Sequence, residues 1–402
     1  MRTHRAACTP TLKPVGRHAQ KRAAGGAWPG ILGVGVLAVV VIVVVALLQP
    51  DPPDHTEGAA PTSPMQSREP AASSTMSPTP LPSPIPEPPP RVTIAFAGDV
   101  HFTGRTEALL ADPVSAFGPI ADTLSAADVA MVNLETAITE RGEEAPKQFH
   151  FRAPPVALDA LAAAGVDLAS LANNHAVDYG PIGLADTLEA IEQGGFPVVG
   201  MGRDAASAYA PYRSDVRGVG ISFFAVTQIP DHTFTAWTAT DSSPGVASTA
   251  DQARLIDGVR AATQAGDVTI VYVHWGLEGD ACPTQEMAAL VTDLVAAGAD
   301  AIVGTHAHLL LGAGYHDEPG SKAYVAYGLG NFLWWRSRAS SDDTGVLTLT
   351  VENGTVVDAD FTPALIDDSG RPQPVLGPEA PLKLAAFEAL RDCAGLLPAP
   401  VR

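Results

Sequence analysis

The sequence predicts an α/β domain over residues 91–366, and three patterns carry that expectation. From Val92 onward, short apolar runs of strand length alternate with segments of helical length. Five of the apolar runs end in Asp, Glu, Asn or His, as buried strands do where their C-terminal ends open on a cleft. Beyond Gly345 the period falls to two, the mark of paired antiparallel strands. A chain of 402 residues with 46% hydrophobic content has material for one large core or two modest ones.

The chain opens differently. Residues 1–30 carry Arg2, Arg5, Lys13, Arg17, Lys21 and Arg22 without an acid, and residues 31–48 are an unbroken apolar or glycine run. That run is about long enough to cross a bilayer. It reads as a single transmembrane anchor, with the basic tail before it held in the cytoplasm. A cleaved signal peptide is the competing reading, but the run exceeds the ~7–15-residue apolar core of such peptides and no Ala-x-Ala site follows. Residues 49–90, as in SPTPLPSPIPEPPP, are crowded with Pro, Ser and Thr and cannot bury enough surface to fold. They read as a disordered stalk, with a proline-rich ligand for a partner module as the alternative. The topology expected is single-pass at the cell membrane, with the main domain extracytoplasmic.

In order, residues 92–98 form the first predicted strand, which breaks at Gly98 and hands over to Asp99 and His101. Residues 128–132 form a second, followed by Asn133, Leu134 and Glu135. An alanine-rich helix over 155–164 leads to a strand over 166–171 that ends in Ala172-Asn173-Asn174-His175. A helix over 183–193, short strands over 197–199 and 219–226, and a helix over 250–264 come next. The strand over 267–273 ends at His274-Trp275-Gly276, and a helix over 284–297 leads to a strand over 299–303 that ends in Gly304-Thr305-His306-Ala307-His308. One more short strand, over 324–327, precedes Gly328-Leu329-Gly330-Asn331-Phe332. Residues 345–351 and 355–361 alternate apolar and polar around Glu352-Asn353-Gly354, predicting a tight hairpin that completes a second sheet. The tail, 367–402, is expected to hold a short helix near 382–391 that packs back on the domain.

The polar groups at the strand ends are metal-ligand types. Asp99 and His101 can offer an oxygen and an imidazole nitrogen to one divalent ion, and His306 and His308 can point to neighbouring metal positions. Each has an ordinary alternative. An Asp after a strand often caps a turn, Glu135 can cap a loop, Asn173 and Asn174 suit turns, and His274 can be a hydrogen-bonded core histidine. Their recurrence at successive strand ends favours a metal site.

The ordered set Gly98-Asp99, Asn133-Leu134-Glu135, Ala172-Asn173-Asn174-His175 with Asp178 and Gly180, His274-Trp275-Gly276 with Glu278, Gly304-Thr305-His306-Ala307-His308 and Gly328-Leu329-Gly330-Asn331-Phe332 resembles the CapA family. These are capsule or poly-γ-glutamate biosynthesis proteins whose domain is similar to calcineurin-like metallophosphatases. The resemblance implies two packed β-sheets flanked by helices, a four-layer αββα arrangement with the site at the strand ends. It implies two divalent metal ions, Mn, Fe or Zn, held by Asp99, His101, Glu135, Asn174, His274, His306 and His308. His175 is then the catalytic proton donor, Asp178 the group that holds its ring, and Glu278 and Asn331 are substrate contacts. Two departures stand out. Glu135 replaces the bridging Asp of the metallophosphatase pattern, and Asn173 replaces the Gly before Asn-His, with Asp178 three residues beyond His175 rather than directly after it. Metal binding is therefore better supported than phosphatase chemistry.

The whole chain carries a net charge of −20; without the six basic residues of the tail, 18 Lys and Arg face 44 Asp and Glu, a balance of −26. So acidic a body argues against nucleic acid as a partner. An anionic polymer would need local positive charge, such as bound metal ions, to approach it. Cys8 falls in the cytoplasmic tail, while Cys282 and Cys393 can pair outside the cell, although nothing in the sequence fixes their separation. The function expected is biosynthesis or export of an anionic polymer such as poly-γ-glutamate, beside membrane synthase subunits, by a di-metal hydrolase or transferase acting on a phosphoester or a γ-linked amide. The alternative is a non-catalytic subunit that holds the polymer in the same pocket.

Overall fold

In chain order the strands of the two large sheets are β1 (Arg91–Val100), β2 (Val129–Leu134), β3 (Leu168–Ser170), β4 (Val198–Val199), β5 (Tyr212–Val216), β6 (Val219–Thr227), β7 (Val268–Trp275), β8 (Ala301–His306), β9 (Ala313–Tyr315), β10 (Tyr324–Ala326), β11 (Asn331–Leu333), β12 (Asp343–Glu352), β13 (Thr355–Ile366) and β14 (Pro372–Pro374). The structure, a computed structural model, describes residues 89–317 and 320–400. The basic tail, the apolar run and nearly all of the proline-rich segment lie outside the described residues. Among the described residues no helix is long and apolar enough to cross a membrane.

The first sheet runs β14-β13-β12-β1-β2-β3-β4, with β11 also pairing with β1. The second runs β9-β10-β8-β7-β6-β5. Alternation along the central strands explains why the sheets face each other. Val92, Ile94 and Phe96 of β1 and Val129 and Met131 of β2 point into one apolar cluster, which they share with Val268, Ile270 and Tyr272 of β7 and Ala301 and Val303 of β8. The opposite faces carry Ala95, Ala97, Ala130 and Val132 in one sheet and Val271, Val273 and Ile302 in the other. Strands buried on both sides read as near-continuous apolar runs, which is what the sequence shows. The Tyr272 hydroxyl donates to the Ala97 carbonyl at 2.6 Å, tying the sheets across their shared core.

Helices cover both outer faces, so the architecture is mixed α/β with sheets flanked by helices. Over the first sheet, α1 (Val156–Ala163) and α2 (Gly180–Gly194) contribute Leu158, Leu161, Leu184 and Leu188. Over the second, α3 (Gln252–Gln264) and α4 (Gln285–Ala297) contribute Leu255, Val259, Leu290 and Leu294. Asp251 and Thr284 start these two helices by accepting backbone N–H groups with their side chains, satisfying donors that a helix end leaves open. At the far end of the chain α5 (Ala380–Ala389) lays Phe387 on Phe361 of β13, with ring centroids 3.9 Å apart.

The hairpin forms as expected, with Asn353 and Gly354 at φ 53° and 73°. Both central residues in the left-handed region match the twist of the flanking strands. Its place differs from the expectation. It does not complete the second sheet but extends the first, because β12 pairs antiparallel with β1, Ile94 opposite Leu349. That register turns Leu347, Leu349 and Val351 to the same intersheet core as Ile94 and Phe96. The strands also run further than predicted at their C-terminal ends, so His274 and His306 lie within β7 and β8.

Gly98 is set by a close approach. A Cβ there would overlap the Gly330 carbonyl, to which the Asp99 N–H donates at 2.9 Å.

Cys282, ahead of α4, and Cys393, in the short helix Arg391–Ala394, are joined in a disulfide with Cα atoms 5.6 Å apart across 111 residues. In the chain-entropy model a loop of that size stabilises by roughly 4–5 kcal/mol. Denatured, unreduced protein is expected to show no reactive thiol at either position, and Cys393→Ser is expected to lower the unfolding midpoint. Two reactive thiols from residues 89–400 would refute the bond.

Candidate metal centre

Parallel pairing brings the C-terminal ends of four strands together. Asp99 lies near the end of β1, in register with Asn133 of β2, and Glu135 follows β2 directly. In the other sheet His274 of β7 lies beside Thr305 of β8, and Trp275 beside His306. The segment after β3 supplies Asn174 and His175. Asp99, Glu135 and His274 are fully buried, and Asn174, His175 and His306 nearly so.

Two sets of ligand-type atoms result. Glu135, His274 and His306 form one and Asp99, Glu135 and His308 the other, the atoms of each set all within 4.8 Å of one another. Glu135 belongs to both, so its carboxyl group would serve either ion if metal were bound. In the first set His274 Nε2 lies 3.2 Å from Glu135 Oε1, 2.9 Å from Asn174 Oδ1 and 3.1 Å from His306 Nδ1. In the second, His308 Nδ1 lies 3.3 Å from Asp99 Oδ2. Asn133 steadies the centre by donating to Asp99 Oδ1 at 2.8 Å, and its own carbonyl accepts from Asn173 at 3.1 Å. His306 and His308 both have positive φ, 94° and 57°. Such backbone costs about 1–3 kcal/mol per residue and gathers at functional sites.

The donor set fits divalent metal. Both Glu135 oxygens, His101 Nε2 and His308 Nδ1 are buried without a hydrogen-bond partner, an arrangement that is costly unless a cation completes it. Burial, with Asp99 nearby, pushes the Glu135 carboxyl well above its usual range. Burial likewise pulls His306 far down and His274 to about 4, which leaves neutral imidazoles, the form that binds metal. Asp99 and His308 move oppositely. Burial works against both charged forms, but their close pairing holds Asp99 low and His308 up at about 9.

Beside this centre stands a second group. His175 Nδ1 lies 2.6 Å from Asp178 Oδ2, so the expected Asp178 contact is made, and the Phe151 N–H donates to the same oxygen at 2.7 Å. His175 Nε2 then faces Glu135 Oε1 at 4.0 Å. Sequence reasoning missed Lys147, whose Nζ is 2.7 Å from Asp178 Oδ1, 3.6 Å from Asp231 Oδ2 and 2.6 Å from the Asn174 carbonyl. Burial and the Lys147 charge pull His175 well below its ordinary range, and burial raises Asp178 to about 6 against the opposing pull of Lys147.

The remaining expected residues sit at the edges. The His101 ring stacks on Phe151 with centroids 4.2 Å apart and meets Trp334 edge-on at 4.3 Å, and it belongs to neither three-residue set. Glu278 and Asn331 line a cleft of about 190 Å³ together with His175, His308, Phe149, Trp335, Arg336 and Arg338. Glu278 is exposed; Asn331 is buried, its Nδ2 donating to the Ser341 carbonyl at 3.3 Å and its Oδ1 left without a partner. The run Trp334-Trp335-Arg336-Ser337-Arg338 after Asn331-Phe332 was a readable sign of a binding wall. Lys147, in an irregular loop between Gly142 and Phe149, carried no such sign.

Residues 93–334 match the family described as bacterial capsule synthesis protein PGA_cap. The capsule biosynthesis protein CapA of Bacillus anthracis is 30% identical over 237 residues, 58% of this chain and 56% of that protein. The PGA biosynthesis protein CapA of Bacillus subtilis is 30% identical over 262 residues, 62% of this chain and 66% of that protein. The match thus spans less than two thirds of either relative. A solved structure of a phosphatase from Mycoplasma pneumoniae superposes with a TM-score of 0.43 at 14% identity, covering 70% of this chain and 95% of that one.

The full-length protein is expected to bind up to two divalent transition-metal ions, measured by elemental analysis after dialysis. Glu135→Ala removes the group common to both sets and is expected to deplete both positions, whereas His306→Ala and His308→Ala each deplete one. Chelation is expected to lower the melting temperature, since a ligand at a hundred times its Kd stabilises by about 2.7 kcal/mol. Wild-type metal content in both histidine variants would remove the site as drawn.

Proposed function

The chain belongs to the bacterial capsule synthesis protein family, and from that premise we propose that it is a metal-dependent hydrolase or transferase in biosynthesis of an anionic envelope polymer. The observation that carries this reading is the Glu135 carboxylate, buried without a hydrogen-bond donor and common to two ligand sets at the facing strand ends. The sheet–sheet packing and the Asp99, Asn174-His175, His274 and His306/His308 pattern support a metallophosphatase-like assignment. Relatives named for capsule and PGA biosynthesis support poly-γ-glutamate as the polymer class.

Asp99, Glu135, His274, His306 and His308 would hold the metal, with Asn174 and His101 as further ligands. Bound divalent ions there supply charge neutralisation and lower the pKa of a water. The chain's own contribution is proton placement. With Nδ1 turned to Asp178, His175 presents Nε2 toward Glu135 as the atom that exchanges a proton with the substrate. Lys147 fixes Asp178 from its other oxygen and also holds the Asn174 carbonyl, so one cation orders both the proton carrier and a metal ligand. His175→Ala is expected to keep its metal while hydrolysis of a phosphoester or of poly-γ-glutamate falls about 10²–10⁴-fold. If metal-depleted variants leave polymer production in cells unchanged, catalysis at this centre is excluded. If wild type holds metal but turns over neither substrate, the polymer-holding role takes its place.

We further propose that residues 31–48 anchor the chain in the membrane and that 49–90 form an external stalk, with membrane synthase subunits as neighbours. Protease added to cells stripped of outer layers is expected to release a soluble fragment by cutting within 49–90. Complete protection would overturn this topology.

A further inference from the structure

Arginine is scarce on this acidic surface, and most of it is neutralised in place. Arg141, Arg203, Arg213 and Arg217 each lie against an Asp or Glu side chain. Arg336 and Arg338 differ. Among the described residues neither guanidinium has a carboxylate within ion-pair distance, and both line the cleft that contains His175 and His308. Arg336 is stacked instead, with its guanidinium carbon 3.8 Å from the Trp335 ring centroid and 4.9 Å from that of Phe149. A guanidinium held over aromatic rings keeps its N–H donors for other partners, and a fork of such donors matches carboxylate and phosphate groups.

The segment that carries the two arginines is fixed at both ends. Arg105 Nε donates to the Trp334 carbonyl at 2.9 Å, and Asn331, in register with Asp99, donates to the Ser341 carbonyl. Its geometry is therefore coupled to the strand that presents Asp99. We propose that Arg336 and Arg338 form an anion subsite that holds a carboxylate or phosphate group of the substrate next to the bond placed over the metal-binding residues. This rests on the reading of the metal centre given above and adds what recognises the substrate beside the scissile bond. A repeating polyanion presents such a group on either side of every bond, so one arginine-lined wall engages it wherever along the chain the bond lies.

The test is equilibrium binding of fluorescently labelled short poly-γ-glutamate and, separately, polyphosphate to the full-length, metal-loaded protein, with metal content measured on every sample. Arg336→Ala/Arg338→Ala is expected to weaken binding roughly ten- to a hundredfold, as loss of charged hydrogen bonds does, and to flatten its salt dependence. Arg336→Lys/Arg338→Lys is expected to recover part of the loss, because charge remains but the fork and the stack do not. Metal content should equal that of wild type in both variants. Arginine-dependent binding of poly-γ-glutamate alone assigns the anion as carboxylate; such binding of polyphosphate alone assigns it as phosphate. Unchanged affinity in the alanine variant, or no binding of either polymer to metal-loaded wild type, overturns the subsite. Failure of the metal centre itself would appear separately, as wild-type protein that holds no metal.

Discussion

A carboxyl group taken out of water with no hydrogen-bond partner is costly, above all when ionised, and Glu135 is in that position with both oxygens unpaired. Much of the surrounding structure serves to put it there. Its backbone N–H is fixed to the Val100 carbonyl at 2.8 Å, so the residue follows the end of β1 as well as that of β2. His274 comes to it from the opposite sheet, and the sheets are held in that relation by the shared core and the Tyr272 bond to Ala97. A one-residue slip of β2 would turn Glu135 away from the histidines. The intersheet core and the site are thus specified by the same alternation of side chains.

The parts of this arrangement that were legible in the sequence are those where local chemistry and chain order coincide. Buried parallel strands are apolar throughout, so their ends stand out as the first polar residues, and Asp99, His274 and His306 could be read there. The Asn353-Gly354 turn was readable because two successive left-handed residues suit few other sequences. What could not be read depended on distance in space. Alternation in β12 and β13 shows that they pair with each other but not which sheet they join. That is decided by the match of Leu347 and Leu349 to the core face of β1. Lys147 stands in a loop with no periodicity, and only the fold brings its ammonium between Asp178 and Asp231.

Lys147 also bears on how His175 works. A cation 3.3 Å from Nδ1 opposes a second positive charge on the ring, and burial opposes it further. Asp178 lies between them and takes both contacts, so the ring is oriented without being driven to the imidazolium. With Nδ1 turned to Asp178, Nε2 is the ring atom left facing Glu135. The same Lys147 also bonds the Asn174 carbonyl, so His175 and Asn174 are positioned by one cation.

Charge at two length scales reconciles an acidic body with the anionic polymer proposed as its substrate. At physiological ionic strength the Debye length is about 8 Å, so exposed acidic groups further than that from the cleft are largely screened from what enters it. Groups inside the cleft act within that length and are screened less. They are of both signs. Glu278 is negative, while His308, Arg336 and Arg338 are positive. A divalent ion held at Glu135 would add positive charge beside that cleft, in a protein whose net charge is negative. On the proposed reading, a polyanion would be attracted at the cleft and repelled by the net negative charge of the rest of the protein.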